Sequence, residues 1–185
     1  GDYDADGVPG TALLSEWFRK IDAPVAEVYI PNRHTEDYGL SIRAIDELAE
    51  KGVTLIITID CGTTDVAEVA HAQSRGIDVI ITDHHLPPPE LPAAFAILNP
   101  KSEGETYPFT ELCGTGVAFK LVQALVRSGM YPVTTGWEKW LLDLVAIATV
   151  SDMVSLTGEN RALVSFGLTV LCQTRREGLR ALMNK

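Results

Sequence analysis

Three groups of acidic and imidazole side chains could do chemistry in this sequence. Asp2, Asp4 and Asp6 alternate along one short stretch, Asp60 closes an apolar run, and Asp83, His84 and His85 are consecutive. A further acidic residue, Asp152, stands in Val150-Ser151-Asp152-Met153-Val154. Carboxylates gathered at one place repel one another unless cations lie between them. Oxygen ligands joined by an imidazole suit Mn²⁺ or Mg²⁺ better than a metal that prefers thiolates.

The elements around these residues decide whether they meet. Val25 to Ile30, Val53 to Ile59, Asp78 to Thr82 and Phe95 to Leu98 are short apolar runs bounded by polar, Gly or Pro residues, and read as buried parallel strands. Pro9 to Lys20, Ser41 to Lys51 and Thr64 to Arg75 read as helices; the last two end before Gly52 and Gly76. The alternation predicts an α/β fold with a doubly wound, mainly parallel sheet. After Pro100 the pattern turns helical, at Gly114 to Val126, Trp137 to Thr149, Asn160 to Leu171 and Glu177 to Met183. Residues 1–100 are thus expected to form a sheet half and 101–185 a helical half. Leu86 to Pro92, with three consecutive prolines, reads as a rigid extended connection. In open parallel sheets ligands bind beyond the carboxyl ends of the strands. Asp60 and the Asp83-His84-His85 run follow two such ends, and Asp2 to Asp6 precede a helix, so the three groups are expected on one rim.

Each residue also has an ordinary structural role open to it. Asp60 alone would serve as a turn or cap residue, and the two histidines as a solvated loop. Asp152 follows the apolar helix Leu141 to Thr149, where periodicity alone favours a cap. The Asp2-Asp4-Asp6-Gly7 stretch matches the opening of an EF-hand loop, but Leu13 stands where that loop needs a bidentate Glu, and no helix precedes it.

Composition narrows the class. The chain has 185 residues, 46% of them hydrophobic and 22% charged, enough for one domain with an apolar core. No secretory leader or membrane-length apolar run is visible. Cys61, Cys113 and Cys172 are far apart and lack metal-binding spacing, which points to a reducing compartment, read as the cytoplasm. The formal net charge of −10 argues against a free-standing nucleic-acid binder, although bound cations would offset it locally. The opening directly on a candidate active-site loop leads us to expect a piece of a longer protein, with a first strand and later domains outside it.

Taken in order, these residues resemble the motif set of the DHH phosphoesterases. Asp2-Tyr3-Asp4-Ala5-Asp6-Gly7, Asp60-Cys61-Gly62, Asp83-His84-His85 and Thr149-Val150-Ser151-Asp152 are similar to its four motifs. Pro31-Asn32-Arg33, Tyr38-Gly39-Leu40-Ser41, Leu86-Pro87, Ala96-Ile97-Leu98-Asn99-Pro100, Gly114-Thr115-Gly116-Val117-Ala118-Phe119-Lys120 and Glu159-Asn160-Arg161 are similar to landmarks of the family's RecJ branch. Pro9, Asp37 and Ser155 depart from the pattern without removing a ligand.

The resemblance implies a two-metal phosphodiesterase holding two Mn²⁺ or Mg²⁺ ions. Asp4, Asp6, Asp60, His84 and Asp152 would be ligands, with Asp60 the bridge; His85 and Arg33 would contact phosphate, and Asp83 would orient its loop. Asp2 receives no role. Such a pair, about 4 Å apart, lowers the pKa of a bridging water and relieves charge on the leaving oxygen. The implied activity is a 5′→3′ exonuclease on single-stranded DNA that releases 5′-mononucleotides. Its partners would be that DNA, with a single-strand-binding protein or other repair proteins beside it, and no membrane. The alternatives are a DHH phosphodiesterase acting on short oligoribonucleotides or cyclic dinucleotides, and a non-catalytic replication or repair scaffold.

Overall fold

The computed structural model describes residues 1–25 and 27–184. Three parallel strands, β1 (Leu55–Ile59), β2 (Asp78–Thr82) and β3 (Ala96–Leu98), lie in the order β1-β2-β3. Ile57 pairs with Ile80 across β1 and β2, and Ile81 with Ile97 across β2 and β3. The pairing continues one residue past the strands, because Asp60 N–H donates to the Thr82 carbonyl and Asp83 N–H to the Leu98 carbonyl. Both acidic residues are thereby tied to the sheet's carboxyl edge.

Side chains alternate between the two faces of the sheet. Ile56, Val79 and Ile81 pack with Ile45 of α2 (Ile42–Glu50) and with Val69 and Ala72 of α3 (Val66–Ser74). Ile57 and Ile59 pack on the opposite face with Leu13, Leu14 and Trp17 of α1 (Gly7–Lys20) and with Val117 and Phe119 of α4 (Gly114–Arg127). Helices therefore cover both faces, as expected. A 3-10 turn (Trp137–Leu141), α5 (Leu142–Ser151), α6 (Gly158–Leu171) and α7 (Glu177–Met183) complete the helical part. Leu141, Val145 and Leu163 join the same core as Trp17.

Local sequence sets the element ends. The Ser41 hydroxyl caps α2 by accepting the Ala44 amide. Pro9 lies in the first turn of α1, where its missing N–H is tolerated, and Arg19 and Lys20 complement the negative end of that helix.

The expected strand Val25 to Ile30 is a correction. Ala26 lies outside the described residues, and the others are assigned to no strand, with Val25, Val28 and Ile30 exposed. A strand exists only where a neighbouring backbone completes its ladder. The far side of β1 instead receives the Asp2 amide at the Ile59 carbonyl, and the Tyr29 carbonyl takes its bond from the Gly1 ammonium. The expected helix Trp137 to Thr149 divides into the 3-10 turn and α5.

Candidate metal centre

The sheet edge, the loop before α1 and the end of α5 meet at His84. Its Nε2 lies 3.1 Å from Asp60 Oδ1, 3.7 Å from Asp152 Oδ2 and 3.8 Å from Asp6 Oδ2. Ligand-type atoms within 4.8 Å of one another form three sets: Asp60, His84 and His85; Asp6, His84 and Asp152; and Asp2, Asp4 and Asp60. Asp60 and His84 each belong to two of these sets.

Ordinary hydrogen bonding leaves the centre unsatisfied. Asp60 Oδ1, both His84 ring nitrogens, Asp152 Oδ2 and Asp2 Oδ1 are buried and unpartnered. Buried polar atoms are normally paired, so the orphaned Asp60 Oδ1 and Asp152 Oδ2, 3.1 and 3.7 Å from the orphaned His84 Nε2, fit a group that bonds several at once. Oxygen donors with one imidazole fit Mn²⁺ or Mg²⁺.

The electrostatics agree. Burial first, then the neighbouring Asp6 and Asp4 carboxylates, pushes the Asp60 carboxyl up to about 10. Burial likewise raises Asp152 and Asp2. Burial lowers His84 against the pull of Asp6, so its imidazole tends to the neutral form that ligates metals. A cation would offset the repulsion that these shifts record.

Local geometry aims the ligands. Asp60 has φ 62°, a left-handed conformation that Asp tolerates better than most residues; such backbone outliers gather at functional sites. Met153, beside Asp152, has φ 60°. Asp4 Oδ1 accepts the Asp6 and Gly7 amides at 2.7 and 3.0 Å, which closes the turn into α1. Asp152 follows directly on α5.

A layer of bonds supports the histidines. Asp83 Oδ1 accepts the His84 and His85 amides and pairs with His85 Nδ1 at 2.8 Å, while Oδ2 accepts the Thr63 amide. These bonds hold its carboxyl below the usual range, although burial alone would raise it. Both oxygens of Asp83 are occupied by these bonds. His85 is half-exposed, and the bond to Asp83 raises its pKa above the ordinary imidazole value. Arg33 lies at the rim, its guanidinium 4.9 Å from the Tyr3 ring centroid.

Sequence reasoning gave no role to several residues here. Tyr38 donates its hydroxyl to the Asp60 carbonyl at 2.6 Å and meets His85 Nδ1 at 3.0 Å. The Asn99 amide holds Thr63 Oγ1 and the His85 carbonyl. Asp2, 4% exposed, joins the cluster. The only signal for Tyr38 and Asn99 was their place in quoted landmark segments.

Comparison with known proteins places this geometry. A single-stranded-DNA-specific exonuclease RecJ of Bacillus subtilis (strain 168) is 48% identical over 183 residues, taking in 99% of this chain but 22% of that protein. The crystal structure of exonuclease RecJ bound to manganese matches all of this chain and 46% of that one, with a TM-score of 0.87 at 37% identity. A crystal structure of RecJ from Thermus thermophilus in complex with Mg²⁺ matches all of this chain with a TM-score of 0.62 at 28% identity, over 22% of its own length. The chain thus spans a minor part of these longer proteins. Residues 1–149 match the model of the DHH family, N-terminal domain, and the chain belongs to the DHH family.

Proposed function

We propose that this chain carries the catalytic centre of a RecJ-like exonuclease, a metal-dependent phosphodiesterase that releases 5′-mononucleotides from the 5′ end of single-stranded DNA. The observation that carries the reading is the set of buried, unpartnered Asp60, His84 and Asp152 atoms facing one point. The named relatives, exonucleases specific for single-stranded DNA, support the substrate.

Asp4, Asp6, Asp60, His84 and Asp152 would hold two Mn²⁺ or Mg²⁺ ions, a reading supported by similar RecJ structures bound to manganese or in complex with Mg²⁺. Bound ions supply Lewis-acid chemistry: hydroxide near neutral pH and charge relief at the leaving oxygen. The chain's own groups do the rest. Asp60, tied to the sheet edge through its amide, joins one ligand set with His84 and His85 and another with Asp2 and Asp4. His84 offers a neutral imidazole. His85, held by Asp83 and Tyr38, presents a proton to a phosphate oxygen, and Arg33 offers a guanidinium fork to the next phosphate. Single-strand-binding or other repair proteins would be partners. The described residues contain no helix long and apolar enough to cross a membrane, and a cytoplasmic site fits the three free cysteines.

The test is digestion of single-stranded DNA labelled at either end, with Mn²⁺, by the wild type and by Asp60→Ala. The wild type should release labelled mononucleotide from the 5′ end, and Asp60→Ala should lose at least about a hundredfold, the scale of a lost metal-assisted step. Equal activity in the variant removes Asp60 from the reaction. Preferential cleavage of dinucleotides or cyclic dinucleotides moves the chain to the other branch of its family.

A further inference from the structure

The segment Gly114-Thr115-Gly116 has no part in the chemistry above, yet it touches two proposed ligands. Asp6 Oδ2 accepts the Gly114 amide at 2.6 Å, and Oδ1 accepts the Thr115 amide at 2.7 Å. The Thr115 hydroxyl, fully buried, donates to the Asp6 carbonyl at 2.6 Å. Three bonds thus join residues 108 and 109 positions apart in sequence.

Gly114 serves Asp60 by having no side chain. A Cβ there would lie 2.5 Å from Asp60 Cβ and 2.7 Å from both Asp60 Cα and Oδ1. Gly10 makes the matching space in α1, since a Cβ on it would lie 2.9 Å from Thr115 Oγ1. The start of α4 therefore sits wedged between the two carboxylates.

We propose that Gly114 and Thr115 are positioning residues for the metal centre. The proposal rests on the two-metal reading. The two amides stop the Asp6 carboxylate from rotating and leave each oxygen with capacity to spare. The positive end of α4 offsets part of the repulsion between Asp6 and Asp60. His84 Nε2, unpartnered on a residue that is 6% exposed, lies 3.1 Å from the unpartnered Asp60 Oδ1 and 3.8 Å from Asp6 Oδ2. Clamping Asp6 favours the ion shared with His84 and Asp152 over the one set by Asp2, Asp4 and Asp60.

The test is Mn²⁺ binding by the 185-residue chain, followed through the electron paramagnetic signal of free Mn²⁺, with melting temperatures taken in chelator. Wild type should bind two ions. Thr115→Val keeps the shape but loses the hydroxyl bond, and should weaken one of the two ions by about tenfold, the usual scale for groups that orient ligands. Thr115→Ser should restore that ion, and the second ion should bind as before in both variants. Gly114→Ala should weaken binding further; should it not fold, Thr115→Val carries the test. A role confined to folding would lower the melting temperature in chelator without changing affinity for either ion, and that result overturns the proposal. Wild type that binds no Mn²⁺ overturns the metal reading itself, whereas unchanged Thr115→Val affinity overturns only the positioning role.

Discussion

At Asp83 a single carboxylate does the work of a small scaffold. It is 2% exposed and accepts from Thr63, His84 and His85. Asn keeps its shape but replaces one acceptor with a donor and removes the charge. Asp83→Asn should therefore leave the Thr63 or the histidine side unpaired, at a cost of about 1–3 kcal/mol. It should also lower the His85 pKa, because the bond to Asp83 is the main cause that raises it. The basic limb of the activity profile should move to lower pH, visible beside an NMR titration of the His85 ring; an unmoved ring titration would remove Asp83 from that role. Each of Asp60, His84 and the early aspartates had an ordinary structural role open to it, and only the joint placement of the three groups near strand ends pointed to a shared site. Asp152 was harder to read. Periodicity offered a cap, whereas in the fold its Oδ2 is buried without a partner beside His84. The family resemblance favoured a ligand where periodicity did not, because that role depends on tertiary placement beside His84.

Helices and strands differed in how far local sequence could define them. Helix ends carry their own signals, such as Ser41 before α2 and the glycines after α2 and α3. A strand is a pairing, so the Val25 to Ile30 run could be apolar and β-branched and still lack a ladder at its described residues. The division of the expected Trp137 to Thr149 helix has the same origin: Leu141, fully buried, ends the 3-10 turn in the core shared with Trp17. Helix packing also hides in single glycines. A Cβ on Gly167 in α6 would collide with the Leu142 carbonyl and lie 2.5 Å from Ala146 Cβ in α5. Overpacking of this kind costs typically about 1–3 kcal/mol. Gly167→Ala should lower the unfolding free energy in urea by about that amount. No loss would mean that α5 and α6 separate freely, and that α6 does not brace the helix that leads into Asp152.

The whole chain carries a formal charge of −10 and concentrates part of its acidity in one buried cluster. Global charge spoke against nucleic-acid binding, while local placement supports a phosphodiesterase; the two agree once divalent cations neutralise the cluster. That resolution has a thermodynamic consequence. The Asp60 carboxyl is pushed up to about 10 by burial and by Asp6 and Asp4, whereas an unfolded aspartate titrates near about 3.9. Between those values the metal-free folded chain keeps a proton that the unfolded chain has released, so stability falls as pH rises through the window. His84, whose pKa burial lowers, acts in the opposite sense, but its effect is complete once pH exceeds the unfolded imidazole value of about 6.5. Melting curves at about pH 7 and about pH 8.5 therefore isolate the falling limb, to which His85 adds in the same direction because its pKa is raised. In chelator the chain should melt lower at the higher pH. With Mg²⁺ held at one concentration, about a hundred times its dissociation constant at the lower pH, binding there adds ~2.7 kcal/mol. For a chain of this size that is a rise of roughly 5–10 °C. The rise should be larger at the higher pH, where the ion displaces fewer protons from the carboxylates. A rise of equal size at both pH values would mean that the ion binds away from Asp60, and the cluster would lose its claim to be the metal centre.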